Sequence, residues 1–549
     1  MANFHMAGLA LAPCTMNKGK DVFQRPWPLI GLLLLLILAS ILFVPVIRGY
    51  WLADDFSWVS DLLNYDWREI PRLFLTDWPR IHEYRPLWSV SFITDFLLWG
   101  PDPRGLHLTN IFFHVLASLL VWSLVMLTVR DHGLAALLSL AFFVLHPIHP
   151  EPVAWISARG HVLVTIFILS SLILLQRFQQ FGGIGNYLAS LGAAVAAFTT
   201  QEAAVALPFL LLARDLVFTS RPDRPWFVRT LKLHLPFWAL LGSYLLLRLV
   251  LFGRLGRDGM ITTIQKLLYD LYRSTRMLWL GPYGIPDIPE VLAARAAHWL
   301  LFLLIAVLLV APFTFLRFHK LENYTRGLIY FAIVWPGVVE FAYFGASAQR
   351  HLYLSSIGPC VALGLATAQF LSSKRPFLIL GASTMAALLL FAYGWTLVSG
   401  VAGFAFNGEK SHQIKDEIAK AIDQASRDSD AIVVILPEIP ANPRVFWQYF
   451  YPQALQPPFT SSEPSLPVMP SFASCDCPPE EWMRDHKALL VRLVHGVTGP
   501  IYLVEWDPPQ AVFVTHVLSQ ADFKLEGYLA VDGSFLRSRH TGDQPIVLP

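Results

Sequence analysis

The chain has 549 residues, of which 55% are apolar and 15% charged, with a mean hydropathy of +0.50. A soluble domain carries about a quarter charged residues, so the composition argues against a wholly soluble protein. The net charge of +2 is too small and too evenly spread to suggest a nucleic-acid partner, and none is expected. Four cysteines are too few for a disulfide framework.

Residues 1–26 read as a cytoplasmic N-terminal tail carrying Lys18, Lys20 and Arg25. The apolar run from Trp27 to Ile47 is too long for a signal-peptide core and is followed by no small-residue cleavage site, so it predicts a retained span. Further apolar runs lie near 106–129, 133–147, 161–176, 184–199, 203–219, 232–252, 297–316, 326–343, 352–371 and 376–398. With the first they predict about eleven spans, a polytopic α-helical membrane protein over 27–400. The runs 184–199 and 203–219 are divided only by Thr199-Thr-Gln-Glu202.

Lys and Arg in short loops mark the cytoplasmic side. An inside N-terminus puts Arg130, Arg177, the Arg214–Lys232 cluster, Arg317, Lys320, Arg326, Lys374 and Arg375 inside, and only Arg159 and Arg350 in short outer loops. The reverse orientation would translocate the basic segment 220–229. Two long outer loops follow from this frame, 48–105 and 253–296. The first is rich in Trp, Tyr and paired charges, a composition suited to interfacial amphipathic helices. Lys266–Arg276 has helix-like spacing with a basic face, and it too reads as interfacial.

An odd number of spans leaves 401–549 outside. There a charged helical stretch, Glu409–Arg427, precedes strand-like runs at Ala431–Leu436, Ala488–Val491, Ile501–Val504, Ala511–Thr515 and Tyr528–Val531. This segment predicts a small C-terminal α/β domain on the outer face. It shows no 34-residue helical repeat.

Asp54, Asp55, Glu151, Glu202 and Glu340 fall at or near the outer ends of spans. A carboxylate beside hydrocarbon is costly and usually functional, so the acids point to a site at the outer membrane boundary. The sharpest element is Leu52-Ala-Asp-Asp-Phe-Ser-Trp58, directly after the first span. Adjacent carboxylates titrate as a coupled pair; one can serve as a general base while its neighbour orients a partner. The bland reading is a solvated turn. Three further segments are predicted on the same side: Tyr84-Arg-Pro-Leu-Trp-Ser-Val-Ser-Phe92, His146-Pro-Ile-His-Pro-Glu-Pro-Val-Ala-Trp-Ile-Ser-Ala-Arg-Gly160 and Gln349-Arg-His-Leu-Tyr-Leu-Ser-Ser-Ile-Gly358.

Taken in that order, over about 50–370, these segments resemble the membrane part of the transmembrane-and-TPR O-mannosyltransferases and their bacterial relatives. Those enzymes belong to the GT-C class of lipid-phosphate-sugar-dependent glycosyltransferases. The family pattern is an acidic pair after span one, Tyr-Arg-Pro-Leu, His-Pro-x-His-x-Glu and Arg-x-Leu-Tyr-Leu-x-Ser. Two features depart from it: no TPR array follows, and Gln349 stands where relatives often carry Glu.

The resemblance implies a polyprenyl-phosphate sugar as donor, with mannose the candidate sugar, and a protein or glycan acceptor. It also implies a catalytic acid in the first outer loop, Asp54 or Asp55, with Asp54 preferred as the first acid after the span. Arg85 and Arg350 are the candidate clamps for the donor phosphate, since guanidinium offers a planar fork to phosphate oxygens. Arg159 is a further candidate, holding Glu151 or the donor. Tyr84, His146, His149, Glu151, Glu202 and Tyr353 are candidate acceptor-binding or loop-shaping residues.

A metal reading of His146, His149 and Glu151 is weak on spacing, because i, i+3, i+5 broken by Pro147, Pro150 and Pro152 does not share a helical face. A divalent cation held by carboxylates and donor phosphate is compatible with the chemistry, and the resemblance does not require one. The competing reading is a membrane transporter or lipid flippase, which would show internal repeats and polar groups at mid-membrane depth. Here the candidate groups gather at one face.

Overall fold

A backbone in hydrocarbon must satisfy its own N–H and C=O groups, so long apolar runs fold as helices. The structure, a computed structural model, describes residues 26–63, 65, 67–75, 84–129, 133–218, 224–253, 273–279, 281, 323–341, 348–428, 430–435, 468–470, 499–507, 510 and 512–519. Helices Trp27–Ile41, Pro103–Thr128, Gly133–Val144, Arg159–Phe181, Ile184–Phe198, Ala206–Phe218, Arg224–Phe252, Asn323–Phe341, Ile357–Leu371 and Pro376–Ala425 coincide with predicted runs. The run at 297–316 lies outside the described residues, as does most of the loop 253–296; within that loop 273–279 is helical.

Among the described residues, five stretches are long and apolar enough to cross a membrane: Trp27–Arg48, Pro103–Thr128, Ile156–Phe181, Trp226–Phe252 and Pro376–Ala425. The protein is therefore a mostly helical integral membrane protein with several apolar spans. Gly133–Val144, Ile184–Phe198 and Ile357–Leu371 are shorter. Two of these, Gly133–Val144 and Ile357–Leu371, pack closely on each other. A Cβ on Gly364 would sit 2.3 Å from the Ser139 backbone nitrogen, so only glycine permits this approach.

Pro86–Trp99 is a helix within the outer loop 48–105, whose composition suits helices. The helices depart from the predicted boundaries in two places. Arg214, Arg229 and Lys232 lie in helices Ala206–Phe218 and Arg224–Phe252 and not in the predicted inner loop. The last span does not stop near 398: Pro376–Ala425 is one helix of 50 residues, about 75 Å long at 1.5 Å per residue. Gly400, Gly403 and Gly408 lie where the apolar half gives way to the charged half and weaken the helix there, but no proline follows Pro376 within it to end it.

The chain divides into two compact units. The first comprises Met1–Val44, Asp66–Thr94 and His107–Ala402; the second comprises Pro45–Tyr65, Asp95–Leu106 and Gly403–Pro549.

In the second unit, the described sheet has the order β2-β1-β3-β4. β1 (Ile432–Ile435) runs parallel to β2 (Val468–Pro470) and to β3 (Ile501–Asp507), and β3 pairs antiparallel with β4 (Val512–Leu518). β1, β3 and β4 fall on predicted strands; β2 was not foreseen, and 488–491 and 528–531 lie outside the described residues. The charged half of the long helix buries Ile414, Ile418, Ala421 and Ala425, a stripe at i, i+4, i+7, i+11. Thr515 of β4 donates to the Glu417 carboxylate of that helix at 2.9 Å, which ties the helix to the sheet. The C-terminal segment is thus a small sheet with a helix laid on it, the two-layer solution for elements with one apolar face.

The segment after the first span is fastened to the same helix. Ser411 Oγ donates to the Trp51 carbonyl at 2.6 Å, and the Tyr50 ring stacks on His412 at 4.7 Å. A Cβ on Gly408 would lie 2.8 Å from Gly49 Cα, so the two backbones meet glycine to glycine.

Candidate functional site

Asp54 and Asp55 open the short helix Asp55–Leu62 in the second unit. The two carboxylates are not equivalent. Asp55 is buried, and its Oδ2 accepts the Leu52 backbone N–H at 2.9 Å, closing a turn that carries Ala53 at φ +47°. That φ is costly for a residue with a Cβ. Asp54 stands at the N-cap position, only partly buried. A solvated turn therefore describes Asp54, which is partly exposed, but not Asp55, which is buried and accepts the Leu52 N–H that shapes the turn.

In the first unit, Arg85 and Glu202 come together from segments far apart in sequence. Arg85 Nε and Nη2 donate to Glu202 Oε2 at 3.1 and 2.9 Å. Arg248 Nη1 donates to the other oxygen, Oε1, at 3.1 Å and to Tyr244 Oη at 3.2 Å. Burial alone would raise the Glu202 carboxyl; the charges of Arg85 and Arg248 overcome it and hold the group below its ordinary range. The local backbone explains the meeting. Leu87 N–H donates to the Thr199 carbonyl at 2.8 Å, so the start of Pro86–Trp99 is fixed to the turn that carries Glu202. Tyr84 is buried, with its hydroxyl donating to the Phe74 carbonyl at 3.2 Å.

A second ion pair joins Glu151 to Arg350. Arg350 Nη1 donates to Glu151 Oε1 at 2.5 Å and the Arg350 backbone N–H to Oε2 at 3.0 Å, while the guanidinium lies 4.9 Å from the Trp155 ring centre. Pro150 starts the five-residue helix Pro150–Ala154, where its missing N–H is no loss, and this places Glu151 in the first turn. The His161 ring lies 5.2 Å from the ring of His351, the residue after Arg350. Gln201 Nε2 contacts the His161 ring at 3.0 Å, which continues the polar chain toward Glu202.

His146, His149 and Tyr353 form a buried knot with His114 and Phe143. A carbonyl only accepts, so His146 Nε2–H donates to the Leu278 carbonyl at 3.0 Å, leaving Nδ1 to receive the Ile148 N–H at 3.5 Å. Both ring nitrogens are thereby used. His149 Nε2 meets Ser356 Oγ at 3.1 Å, and Tyr353 Oη meets His114 Nδ1 at 2.7 Å. Burial, with His114 and His146 alongside, holds the His149 imidazole well below its ordinary range, hence neutral at pH 7.

With Glu151 turned to Arg350, the His146–His149–Glu151 set does not converge on a metal. Among the described residues no group of three or more His, Cys, Asp or Glu is placed to hold one. Arg159 is fully buried at the start of its helix, its guanidinium 3.9 Å from the Phe92 ring centre and Nη1 donating to the Ser91 carbonyl at 3.4 Å. It is Arg350, and not Arg159, that holds Glu151.

The sequence reading passed over Arg248, His114 and His161. For Arg248 the signal was present: a cation inside the apolar run 232–252 is expensive and calls for a partner. It also passed over a buried polar cluster. Asp215 accepts from Arg214 Nη1 at 2.7 Å, from Gln179 Nε2 at 2.9 Å and meets His234 Nε2 at 2.8 Å. The sequence marks Arg214 only as an inner-loop charge, whereas it is buried in the helix Ala206–Phe218.

No family model matches the chain. Over 147 residues it is 29% identical to protein O-mannosyl-transferase Tmtc1 of Drosophila melanogaster, which covers 27% of this chain and 17% of that protein. Over 104 residues it is 36% identical to protein O-mannosyl-transferase TMTC1 of Mus musculus, covering 19% of this chain and 11% of that one. The chain thus spans about a sixth or less of the length of these curated relatives, and it is related to the protein O-mannosyl-transferases over part of its own. The solved structure of the archaeal oligosaccharyltransferase AglB from Archaeoglobus fulgidus, in complex with an inhibitory peptide and a dolichol-phosphate, aligns with a TM-score of 0.48 at 11% identity. That alignment covers 92% of this chain and 76% of AglB.

Proposed function

We propose that the protein is a GT-C-type glycosyltransferase that moves a sugar, with mannose the first candidate, from a polyprenyl-phosphate donor to a hydroxyl of a protein or glycan acceptor on the extracytoplasmic face. The observation that carries this reading is the arginine arrangement. Arg85 and Arg350, drawn from two separate motifs, each sit on a carboxylate, and His161 bridges them by meeting Gln201 beside Glu202 and the His351 ring beside Arg350. The partial relationship to protein O-mannosyl-transferases supports it independently.

The donor's tail stays in the bilayer, so its phosphate rests at headgroup depth, where interfacial cations reach it. In the transfer step a base takes the acceptor hydroxyl proton as the acceptor oxygen bonds to the anomeric carbon. The bond from that carbon to the phosphate oxygen breaks, and the lipid phosphate leaves with the electron pair. Asp54 is assigned the base. Arg85 and Arg350 stabilise the charge gathering on the leaving phosphate. Glu151 and Glu202 hold the two guanidiniums in orientation before the donor binds. The Lys and Arg distribution supports a cytoplasmic N-terminus and an extracytoplasmic C-terminal segment.

The test is transfer from a labelled polyprenyl-phosphate sugar by purified protein, with and without chelator. Labelled acceptor together with released polyprenyl phosphate supports the reading. No transfer from any such donor under conditions where the lipid binds overturns it.

A further inference from the structure

We infer that Arg248 is a positioning residue for the donor: it keeps Glu202 paired when Arg85 turns from that carboxylate to the donor phosphate. The inference rests on the proposed role of Arg85 in phosphate binding.

Glu202 is held from both sides, Oε2 by Arg85 and Oε1 by Arg248. Arg85 spends both Nε and Nη2 on one carboxylate oxygen, so the fork that a phosphate would use is already engaged by an anion. To receive a phosphate, Arg85 has to share or release Glu202. The Glu202 side chain is 24% exposed, and a carboxylate so poorly hydrated does not readily stand alone. Arg248 resolves that conflict. Its side chain is 6% exposed and is placed by the Tyr244 hydroxyl one turn before it and the Phe252 ring one turn after, at 5.4 Å.

The three groups together carry one more positive charge than negative, and that excess favours the phosphate of a polyprenyl lipid, whether it still carries its sugar or has lost it. A cation in an apolar helix is retained at a cost. A purely structural salt bridge to Glu202 would be complete with Arg85 alone; the second arginine is what allows the first to change partner. The arrangement therefore places Arg248 in the donor-binding step while it touches no donor atom.

The test is a double-mutant cycle on the full chain in detergent, with undecaprenyl phosphate as the probe. Arg248→Met should weaken its binding about tenfold, because among the described residues Arg85 is then the guanidinium left to pair with Glu202. Adding Glu202→Gln to Arg248→Met should recover most of the binding, since the competing charge is gone while the amide oxygen can still accept from Arg85 and keep it oriented. Where transfer can be followed, the loss in Arg248→Met should fall on the donor KM and spare kcat. Thermal melting checks the fold; should Arg248→Met fail to fold, Arg248→Gln keeps donors for Glu202 and Tyr244 and enters the same cycle.

Unchanged affinity in Arg248→Met, or a loss that Glu202→Gln does not repair, overturns the inference. Failure of the unsubstituted protein to bind the probe overturns both this and the role of Arg85. Binding that follows the cycle without any sugar transfer overturns the proposed activity and leaves the role of Arg248 standing.

Discussion

Arg350 grips Glu151 twice, through its guanidinium Nη1 at 2.5 Å and through its own backbone N–H at 3.0 Å. The double contact fixes the start of the Gln349–Leu352 turn against the Pro150–Ala154 helix. One side of the Arg350 guanidinium is covered by Trp155. Its side chain nevertheless keeps 30% of its surface exposed, room for a second anion.

Arg350→Lys keeps the charge but loses the fork and the flat face that lies on Trp155. Donor affinity should fall about tenfold, and further in Arg350→Ala, at a cost of roughly 1.4 kcal/mol per factor of ten. Titration with a labelled polyprenyl phosphate measures it. Equal affinity in all three proteins would remove Arg350 from the donor site.

Asp54→Asn should leave the melting temperature near its starting value and lower transfer by orders of magnitude. Asp55→Ala should act on the fold, because the Leu52 N–H loses its acceptor at a turn that already holds Ala53 at positive φ; about 1–3 kcal/mol is the expected loss. Melting and transfer measured on the same two preparations separate base from turn. A stable and fully active Asp54→Asn would withdraw the assignment.

Glu202 predicts an acid limb. Its folded pKa is depressed, so its pairing with Arg85 and Arg248 stabilises fully above the unfolded-state pKa of about 4.3 and is lost as the pH falls through the lower folded value. Stability in detergent should hold on descending from neutral pH and decline below the ordinary glutamate range. Glu202→Gln should reduce that decline. An acid limb of the same depth in Glu202→Gln would assign it to other carboxylates.

The helices, the acidic turn and the arginine motifs were legible in the sequence because apolar length and motif order are one-dimensional signals. The pairings were not. Nothing in the spacing of Tyr84-Arg-Pro-Leu says that Arg85 will find Glu202, or that Glu151 will take Arg350 in preference to Arg159. Those depend on which helix ends meet. The end of the last span was misplaced for a different reason, since the change from apolar to charged residues near 403 marks a change of environment and not of backbone conformation. The burial of Asp55 was not legible because it follows from the turn it closes, which the adjacency of two acids does not reveal.

The Asp215 cluster is a structural prediction of the same kind. Asp215→Ala leaves the buried Arg214 guanidinium without its main counter-charge and removes the acceptor of His234 and Gln179. The expected loss is about 3–5 kcal/mol, the usual cost of breaking a buried pair from one side. Thermal melting reads it directly. A melting point within a degree or two of the unsubstituted protein would show that the cluster is solvated.

The central claim is that a sugar leaves its lipid phosphate on this protein. The most direct measurement follows a doubly labelled polyprenyl-phosphate sugar, one label in the sugar and one in the lipid, in sealed proteoliposomes supplied with acceptor. The account predicts that the labels separate in equal amounts, sugar to acceptor and lipid to free polyprenyl phosphate, and that Asp54→Asn abolishes the separation while the lipid still binds. Labels that stay joined while the intact lipid crosses to the other leaflet would contradict it and identify a flippase.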